Sequence, residues 1–311
     1  MKADVVSIVL VLYNSEKTIM DSLESIYTQT YDPIELIVTD DASKDSSIEL
    51  VRTWLKDHEN RFCNVEIVTV DKNTGVTCNC NRGVKKASGK YIQLLAGDDI
   101  LLPDAIETRV SAQKKYPNDI IVTKIDIFGE SSLLRKQENW CNKGYKILQR
   151  DRNVQYKKLL KSGGYIAGPS WSFLDKNIYE KVGFYDERFP MMEDYPFLIK
   201  IMENGYQFRF INKSTIRYRV YKSSLCHSIN DGASQFAVSW DKFFKLVLSN
   251  KLLKNHMFYA FLIHKITSIR FNLRIKYGEQ SLLYKLSILL RLLNPDLIID
   301  FLFERIRFWK D

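Results

Sequence analysis

The chain has 311 residues, of which 45% are apolar, and a formal net charge of +9 at pH 7. This length and composition exclude a globally disordered protein and allow one large domain or two moderate ones. The charge is uneven, because residues 233–311 hold 13 Lys or Arg and six Asp or Glu, a net charge of +7. No stretch of this last quarter approaches the roughly 20 uninterrupted apolar residues of a membrane span.

The cysteines and the first residues predict a compartment. Five cysteines are few and odd in number for this length. Cys78 and Cys80 lack the two-residue gap of zinc knuckles and redox pairs, which favours a structural role. The first apolar strand follows only six residues and no secretory signal precedes it, so we expect reduced thiols and a cytoplasmic protein. The basic residues of the tail are diluted among aliphatic ones, which argues against nucleic-acid binding.

The first hundred residues alternate between strand-like and helix-like patterns. Strands are predicted at about 5–12, 34–39, 65–70 and 90–96, with helices at about 15–28, after 46 and from 75 to about 87. Pro103 is typical of the first turn of a further helix. This order predicts an open, mostly parallel sheet flanked by helices, an α/β fold.

From about residue 118 to 230 the pattern is mixed. The predictions are a strand at 120–123, an irregular mobile loop at 130–150, a helix at 151–162, a break at 162–164 and extended chain at 165–173. A further helix opens at Asp194 and has an apolar face. The last 75 or so residues are predicted to be helical, with a soft boundary near residue 230.

Two acidic pairs follow predicted strands at their carboxyl ends. They are Asp40 with Asp41, and Asp98 with Asp99. Open parallel sheets bind ligands just beyond these ends. Carboxylate oxygens suit a hard divalent cation and can accept hydrogen bonds from a nucleotide. The pattern therefore predicts a metal-assisted reaction on a nucleotide diphosphate, although each pair alone could cap a helix or form a turn.

Seven motifs in order resemble the family 2 glycosyltransferases with the GT-A fold, of the bacterial surface-polysaccharide type. They are residues 7–14, 29–31, 35–45, 73–83, 89–92, 98–103 and 181–186, the last leading into Glu193 and Asp194. The resemblance covers about residues 5–222. It implies a Rossmann-like domain at 1–230, with a nucleotide-sugar half at 1–100 and an acceptor half at 101–230. A basic amphipathic helical extension follows at 231–311.

The resemblance also implies the donor site and its cofactor. Members of the family transfer a sugar from a nucleotide diphosphate to an acceptor hydroxyl with inversion, and we expect a UDP-hexose as the donor. Val11, Tyr13 and Asp41 are placed around the base, with the position of Val11 acting through its backbone. Asp98 is placed at the ribose or the metal, and Asp99 becomes the main ligand to Mg²⁺ or Mn²⁺.

On the acceptor side, Asp194 is the predicted general base and Glu193 is its competitor for that role. A helix N-terminus lowers the pKa of a carboxyl, whereas burial raises it, and the sequence leaves both outcomes open. Arg219 is a candidate contact for the diphosphate or for an acceptor phosphate. Trp171 either packs in the core or stacks on an acceptor sugar.

The chain departs from the family pattern at two positions, Ala96 and Cys80. Ala96 stands where the first acid of the metal motif often lies. Cys80 stands where a basic residue commonly precedes the asparagine equivalent to Asn81. Arg82 could supply that charge, although its side chain is expected to point elsewhere on its helix.

Three competing classes were weighed. Residues 7–20 contain no glycine, which argues against a sugar-nucleotide pyrophosphorylase, and no Gly-x-Gly-x-x-Gly follows the first strand, which argues against a dehydrogenase. The non-enzymatic alternative is a catalytically degenerate, donor-binding scaffold subunit of a membrane-associated glycan assembly complex. The presence of both Asp99 and Asp194 weighs against it.

The tail predicts a surface for a membrane or for a second subunit. A leucine stripe interrupted by basic residues precedes Pro295, and a second basic helix follows it. Such helices can lie in the headgroup region of an anionic leaflet, or they can close a core or form a homo-oligomer interface. We expect peripheral binding to the cytoplasmic face of the plasma membrane. The expected acceptor is a lipid-diphosphate-linked glycan in capsule- or O-antigen-type polysaccharide synthesis.

Overall fold

The structure is a computed structural model that describes residues 3–162, 168–221, 232–278, 280–287 and 289. The chain divides into two compact units, Met1–His227 and Ser228–Asp311. Among the described residues, the strands and both acidic pairs belong to the first unit, and the elements of the second unit are helices.

The first unit is built on an eight-stranded sheet. Its strands are β1 (Val6–Leu12), β2 (Ile34–Asp40), β3 (Asn64–Thr69), β4 (Tyr91–Ala96), β5 (Ile100–Leu101), β6 (Asp119–Gly129), β7 (Ser172–Asp175) and β8 (Gln207–Val220). Their order across the sheet is β3-β2-β1-β4-β7-β6-β8-β5. The first four in this order are mutually parallel, as are β6 and β8, whereas β7 and β5 run antiparallel to their neighbours. The prediction of a mostly parallel α/β sheet is confirmed.

Eight α-helices of the first unit connect these strands. They are α1 (Ile19–Tyr27), α2 (Ser47–His58), α3 (Val76–Lys86), α4 (Ala105–Lys115), α5 (Ser131–Leu148), α6 (Arg152–Ser162), α7 (Lys176–Val182) and α8 (Asp194–Glu203). Because helices cover both faces, the central strands are buried along almost their whole length. The central strands therefore appear in the sequence as continuous apolar segments.

Two predictions for the middle of the chain are wrong. Residues 130–150 are not an irregular loop, because α5 spans 18 residues there and buries Cys141, Gly144 and Leu148 on one face. Most of the polar side chains that suggested a loop occupy its exposed surface. Of the extended chain predicted at 165–173, residues 172–173 begin β7 as expected, whereas residues 169–171 form a 3₁₀ helix. Of the break predicted at 162–164, Ser162 ends α6, and residues 163–167 lie outside the described residues.

Trp171 belongs to the core. Its side chain is 8% exposed and lies between the rings of Trp140 and Tyr218, at centroid distances of 6.1 and 5.5 Å and with small interplanar angles. Both faces of the indole are therefore covered by protein, which supports packing over stacking on a sugar.

The second unit has its own small core. Its helices are α9 (Gly232–Phe243), α10 (Ser249–Lys254), α11 (Phe258–Tyr277) and α12 (Leu282–Ser287), with a π-helical turn at Phe244–Leu248. The rings of Trp240, Phe244 and His264 pack together between α9 and α11. Asp241 joins the same two helices by accepting hydrogen bonds from Ser268 and Asn272.

The leucine stripe of the tail is described only in part. Leu282, Leu283, Leu286 and Leu289 are between 50% and 71% exposed, so they close no core within this chain. Leu290, Leu293 and the helix predicted after Pro295 lie outside the described residues. In the part of the chain that the structure describes, no helix combines the length and the apolar character needed to cross a membrane.

Candidate active site

Three loops meet at one edge of the sheet. The register pairs Leu12 with Asp40 and Val11 with Ala96, so β1, β2 and β4 end side by side. The chain that leaves these strands carries Tyr13, the Asp40–Asp41 pair and the Asp98–Asp99 pair. The structure thus places the predicted donor-side residues at the carboxyl edge, where open α/β sheets bind ligands.

The loop after β1 is fastened to the loop after β2. The backbone N–H of Asn14 donates to Ser43 Oγ over 2.8 Å, and the N–H of Lys44 donates to Asn14 Oδ1 over 2.8 Å. Asn14 and Ala42 both adopt left-handed backbone, with φ of 51° and 63°, which is costly for Ala and is sustained by these contacts. Tyr13 is held at this edge with 48% of its surface exposed.

Val11 and Asp40 contribute to the edge through local contacts. The carbonyl oxygen of Val11 accepts a hydrogen bond from the N–H of Gly97 over 3.0 Å, which ties β1 to the start of the Asp98–Asp99 turn. The carboxylate of Asp40 accepts from the N–H and hydroxyl of Ser43 and so forms the turn after β2. Within the acidic pair, Asp40 has the structural role and Asp41 faces the neighbouring loop.

Asp41 is 2% exposed and its carboxylate is densely hydrogen-bonded. It accepts from the N–H and hydroxyl of Thr74, from the N–H of Gly75 over 2.8 Å, and from Arg82 Nη2 over 2.6 Å. The expectation that Arg82 points elsewhere is wrong, because its side chain reaches back along α3 to Asp41, Thr74 and Asn79. Asp41 and Arg82 therefore form one ion pair at the strand edge.

Asp99 has an oxygen with no partner in the described structure. Its Oδ1 accepts from the N–H of Arg219 over 3.2 Å, whereas Oδ2 is buried and makes no hydrogen bond. Burial, and next the adjacent Asp98, raise the pKa of Asp99 well above the usual carboxyl range. An unsatisfied buried oxygen is destabilising by about 1–3 kcal/mol, and more if charged, so it is expected to have a ligand.

The residues around Asp99 fit a divalent cation in part. Asp98 lies beside it, with Oδ2 accepting from the hydroxyl of Tyr221 over 2.8 Å, and burial raises the pKa of Asp98 too. Carboxylate oxygens are suitable ligands for Mg²⁺ or Mn²⁺. Among the described residues no group of three or more His, Cys, Asp or Glu side chains is placed to hold a metal. Two aspartates would therefore need phosphate oxygens and water to complete the coordination.

Arg219 fastens the Asp98–Asp99 turn to β8. Its Nε donates to the carbonyl oxygen of Asp98 over 2.9 Å, its Nη2 pairs with Asp21 at 2.6 Å, and its guanidinium lies 4.5 Å from the ring centroid of Phe128. Most of its hydrogen-bonding capacity is thus used within the protein. Tyr221 was missed by the sequence reasoning, and a tyrosine at the end of a strand offered no signal for it.

Glu193 and Asp194 form a partly buried acid pair where α8 begins. Burial, and next the charge of Asp194, raise the pKa of Glu193 to about 8. Burial raises the pKa of Asp194 to about 6, although the N–H of Tyr195 donates to its Oδ1 over 2.6 Å and offsets part of the rise. Burial thus outweighs the effect of the helix N-terminus. The pair therefore retains a proton to higher pH than two separate carboxyls would.

One helix connects the donor edge with this pair. The hydroxyl of Thr77 on α3 donates to the carbonyl of Phe189 over 2.7 Å, and the side chain of Asn81 both donates to and accepts from the backbone of Tyr185. Arg82 on the same helix holds Asp41. Asp194 borders a small cavity whose other walls are mostly apolar. Helix α3 therefore connects the loops at the strand edge with the segment that leads to Glu193 and Asp194.

The comparisons with known proteins decide the family. The family model for glycosyl transferase family 2 matches residues 7–183, which is more than half of the chain. The chain belongs to this family. It is therefore a glycosyltransferase, with the GT-A-type sheet described above, and the resemblance stated from its motifs is confirmed.

Individual relatives are distant. The glycosyltransferase GlyG of Streptococcus pneumoniae serotype 4 is 25% identical over 291 residues, which cover 91% of this chain and 90% of GlyG. GlyA of the same organism is 27% identical over 227 residues, 71% of this chain but only 31% of GlyA. The crystal structure of S. aureus TarS 1–349 in complex with UDP-GlcNAc superposes with a TM-score of 0.57 at 16% identity, covering 86% of this chain and 81% of TarS 1–349. At that identity the likeness shows the fold alone.

Proposed function

We propose that this glycosyltransferase transfers a hexose from a UDP-sugar to an acceptor hydroxyl with inversion, using Mg²⁺ or Mn²⁺ at Asp98 and Asp99. The observation that carries the proposal is the buried Oδ2 of Asp99, which lacks a partner at the same strand edge that holds Asp41. A TarS structure of similar fold was solved with UDP-GlcNAc, which supports the choice of a uridine diphosphate donor. The cation would neutralise charge that develops on the leaving diphosphate.

The base of the donor belongs at the loops after β1 and β2. Tyr13 offers an exposed ring for stacking, and Val11 shapes the floor through its backbone. Asp41 can accept the imide proton of uracil only in addition to the donors it already holds. The proposal therefore assigns base recognition to Asp41 and Arg82 together, with Arg219 holding the turn that carries Asp98.

On the acceptor side, Asp194 removes the proton from the attacking hydroxyl. An inverting transfer needs one group that takes this proton on the face opposite the leaving group. The pKa of about 6 for Asp194 keeps it ionised at neutral pH yet closer to a useful base than an ordinary aspartate. Glu193, with a pKa of about 8, stays protonated under the same conditions and cannot serve as the base.

The donor and metal assignments can be tested by calorimetry. We expect UDP to bind more tightly with Mn²⁺ than with EDTA, and GDP to bind more weakly than UDP under both conditions. Asp99→Asn should remove the effect of Mn²⁺, whereas Asp104→Asn, a partly exposed acid paired with Lys213, should leave it unchanged. Binding of GDP but not UDP would overturn the donor assignment, and UDP affinity that is indifferent to Mn²⁺ would overturn the metal.

The proposal also includes the cellular location of the enzyme and the class of its acceptor. Residues 232–287 of the second unit contain nine Lys or Arg and two Asp or Glu. On the same unit Phe258, Leu262 and Leu282 are between 45% and 71% exposed. This combination supports peripheral binding to the anionic cytoplasmic face of a membrane. A lipid-diphosphate-linked glycan, as used in capsule- or O-antigen-type synthesis, is then the acceptor within reach.

A further inference from the structure

Arg109 of α4 is a fully buried cation whose partners are all neutral. Its side chain is 0% exposed, and burial lowers its pKa to about 9. Nε and Nη2 donate to the hydroxyl of Thr215 over 3.1 and 2.8 Å, Nη2 also to that of Thr123, and Nη1 to Gln93 Oε1 and the carbonyl of Ser170. All five hydrogen-bond donors of the guanidinium have acceptors, but no carboxylate is among them.

A cation in this position is unfavourable for stability alone. Removing a charge from water costs several kcal/mol, and well-packed apolar residues often replace buried charges at no loss of stability. The planar fork of a guanidinium, in contrast, can hold several acceptors in one fixed arrangement. Arg109 does this for three strands and one 3₁₀ turn, since Gln93, Thr123, Thr215 and Ser170 lie on β4, β6, β8 and residues 169–171.

The first set of contacts leads from Arg109 through Ser170 to Asp99. The carbonyl of Ser170 accepts from Arg109 Nη1 over 3.1 Å and from Gln93 Nε2 over 2.9 Å. The hydroxyl of Ser170 accepts from the N–H of Ala96 over 3.2 Å, and the carbonyl of Ala96 accepts from the N–H of Asp99 over 3.1 Å. Ser170 is thus fixed at both ends against the turn that carries Asp99.

The second set of contacts runs along β8. Arg109 holds the hydroxyl of Thr215, and the carbonyl of the same residue accepts from the N–H of Leu102 over 2.9 Å. Four residues further along β8, the N–H of Arg219 donates to Asp99 Oδ1. Asp99 is therefore tied to Arg109 on two sides, at its backbone N–H through Ala96 and Ser170 and at its carboxylate through β8.

We propose that Arg109 is a positioning residue that holds the Asp99 carboxylate in place for a divalent cation, through Ser170 on one side and β8 on the other. The proposal rests on the metal site of the proposed function. It adds a residue that touches neither the metal nor the nucleotide. Groups that orient a metal ligand typically change metal affinity by about 10–100-fold when they are lost.

The test is a titration of the full chain with Mn²⁺ in the presence of UDP. Electron paramagnetic resonance measures the concentration of free Mn²⁺ at each point. Arg109→Gln should weaken Mn²⁺ binding by about 10–100-fold. The control is Gln113→Leu, which removes a buried polar group from the same helix. Gln113 donates only to the carbonyls of Tyr116, Pro117 and Asp119, so its loss should lower the melting temperature and leave Mn²⁺ affinity unchanged.

If Arg109→Gln fails to fold, Ser170→Ala tests the next step of the same chain of contacts. It keeps the buried charge and the carbonyl that accepts from Arg109, and it removes only the hydroxyl that accepts from the N–H of Ala96. Ser170→Ala should also weaken Mn²⁺ binding. In the double variant, the loss of binding free energy should not exceed the sum of the losses in the two single variants. Normal Mn²⁺ affinity in Arg109→Gln, or in Ser170→Ala if only that variant folds, would overturn the inference while leaving the metal site standing. If the unaltered chain with UDP binds no Mn²⁺, the metal site of the proposed function is wrong and this inference falls with it.

Discussion

The carboxylates of the site differ in their partners far more than in their type. Asp41 is saturated with hydrogen bonds, Asp99 keeps one buried oxygen without a partner, and Glu193 and Asp194 are adjacent, partly buried carboxyls with raised pKa values. Each environment suits a different task, because hydrogen bonds favour the charged form and burial disfavours it. These different environments support the proposal that recognition, cation binding and proton transfer belong to different acids.

The acid pair gives the first prediction at this scale. Asp194→Asn should lower the rate by ~10²–10⁴ and leave donor affinity nearly intact, since it removes the base and not a donor contact. In the unaltered enzyme, kcat should fall about tenfold per pH unit below about 6, as Asp194 becomes protonated. Glu193→Gln should keep this acid limb, because glutamine is neutral like the protonated Glu193 that the proposed function places beside Asp194. The measurement is a pH–rate profile of the three proteins.

Stability against pH provides the control for the pair. When the pKa of a carboxyl is higher in the folded than in the unfolded state, folding is most favourable at a pH below the unfolded-state pKa. This contribution to stability is lost as the pH rises through the folded-state pKa. For Glu193 the window runs from the ordinary carboxyl range to about 8. Glu193→Gln should therefore melt at a higher temperature than the unaltered enzyme at pH 9 and at a similar one at pH 4. Inactivity of Glu193→Gln together with near-normal turnover of Asp194→Asn would exchange the two roles.

At the scale of elements, α3 connects Asp41 at the strand edge with the segment that leads to Glu193. It begins directly after Gly75, whose N–H donates to Asp41, and it carries Arg82 on one side and Asn81 on another. Gly75 has φ of 91°, and a Cβ there would lie 2.6 Å from the carbonyl oxygen of Pro190. The start of this helix is thus pressed against the segment that leads to Glu193, which only glycine permits.

Gly75→Ala is the prediction for this element. The added methyl group must displace either the 190 segment or the start of α3, so we expect a loss of about 1–3 kcal/mol of stability together with weaker UDP binding. Gly205→Ala is the matched control, because Gly205 has a similar φ of 94° but open space around its Cβ position. It should lose stability from backbone strain alone and bind UDP normally. Equal UDP affinity in both variants, measured by calorimetry, would show that crowding at α3 does not reach the donor site.

At the scale of the whole molecule, the two units have different surface chemistry. The first carries the site, and the second concentrates positive charge and exposed apolar side chains such as Leu282 and Leu286. Such a combination suits either an anionic lipid surface or a second copy of the chain. The sign of the charge favours the lipid, because two identical basic faces repel each other.

Vesicle flotation tests this surface on the full chain. We expect the enzyme to float with vesicles rich in anionic lipid and to be released by high salt. Substituting Leu282, Leu283 and Leu286 with Ser should abolish flotation, whereas Met20→Ser, an exposed apolar residue of α1 in the first unit, should not. If the triple variant floats like the unaltered chain, these leucines do not contact lipid. A concentration-dependent dimer that the triple variant loses would instead assign the face to self-association.

Local sequence pattern determined much of the first hundred residues. Apolar runs of strand length, turn residues and helical periodicity give β1 to β4, α1 to α3, and the two acidic pairs at the strand ends. The helix that opens at Asp194 followed from its periodic apolar face in the same way. These features depend on neighbours within one turn or one strand, so the sequence alone contains them. The prediction of a loop at 130–150 was wrong because a helix with one narrow buried face carries mostly polar residues.

Only the tertiary structure decided how the site is assembled. Tyr221 reaches Asp98 and Arg219 reaches Asp99 across more than 100 positions of sequence, and Arg109 gathers groups from three strands. The side chain of Arg82 likewise points toward Asp41 because it hydrogen-bonds a residue 41 positions away in the sequence. The pKa values of Glu193 and Asp194 depend on burial, which the packing of distant segments creates. Sequence spacing fixes which chemical groups a strand end or a helix presents, but burial and long-range hydrogen bonds fix their charge and their direction.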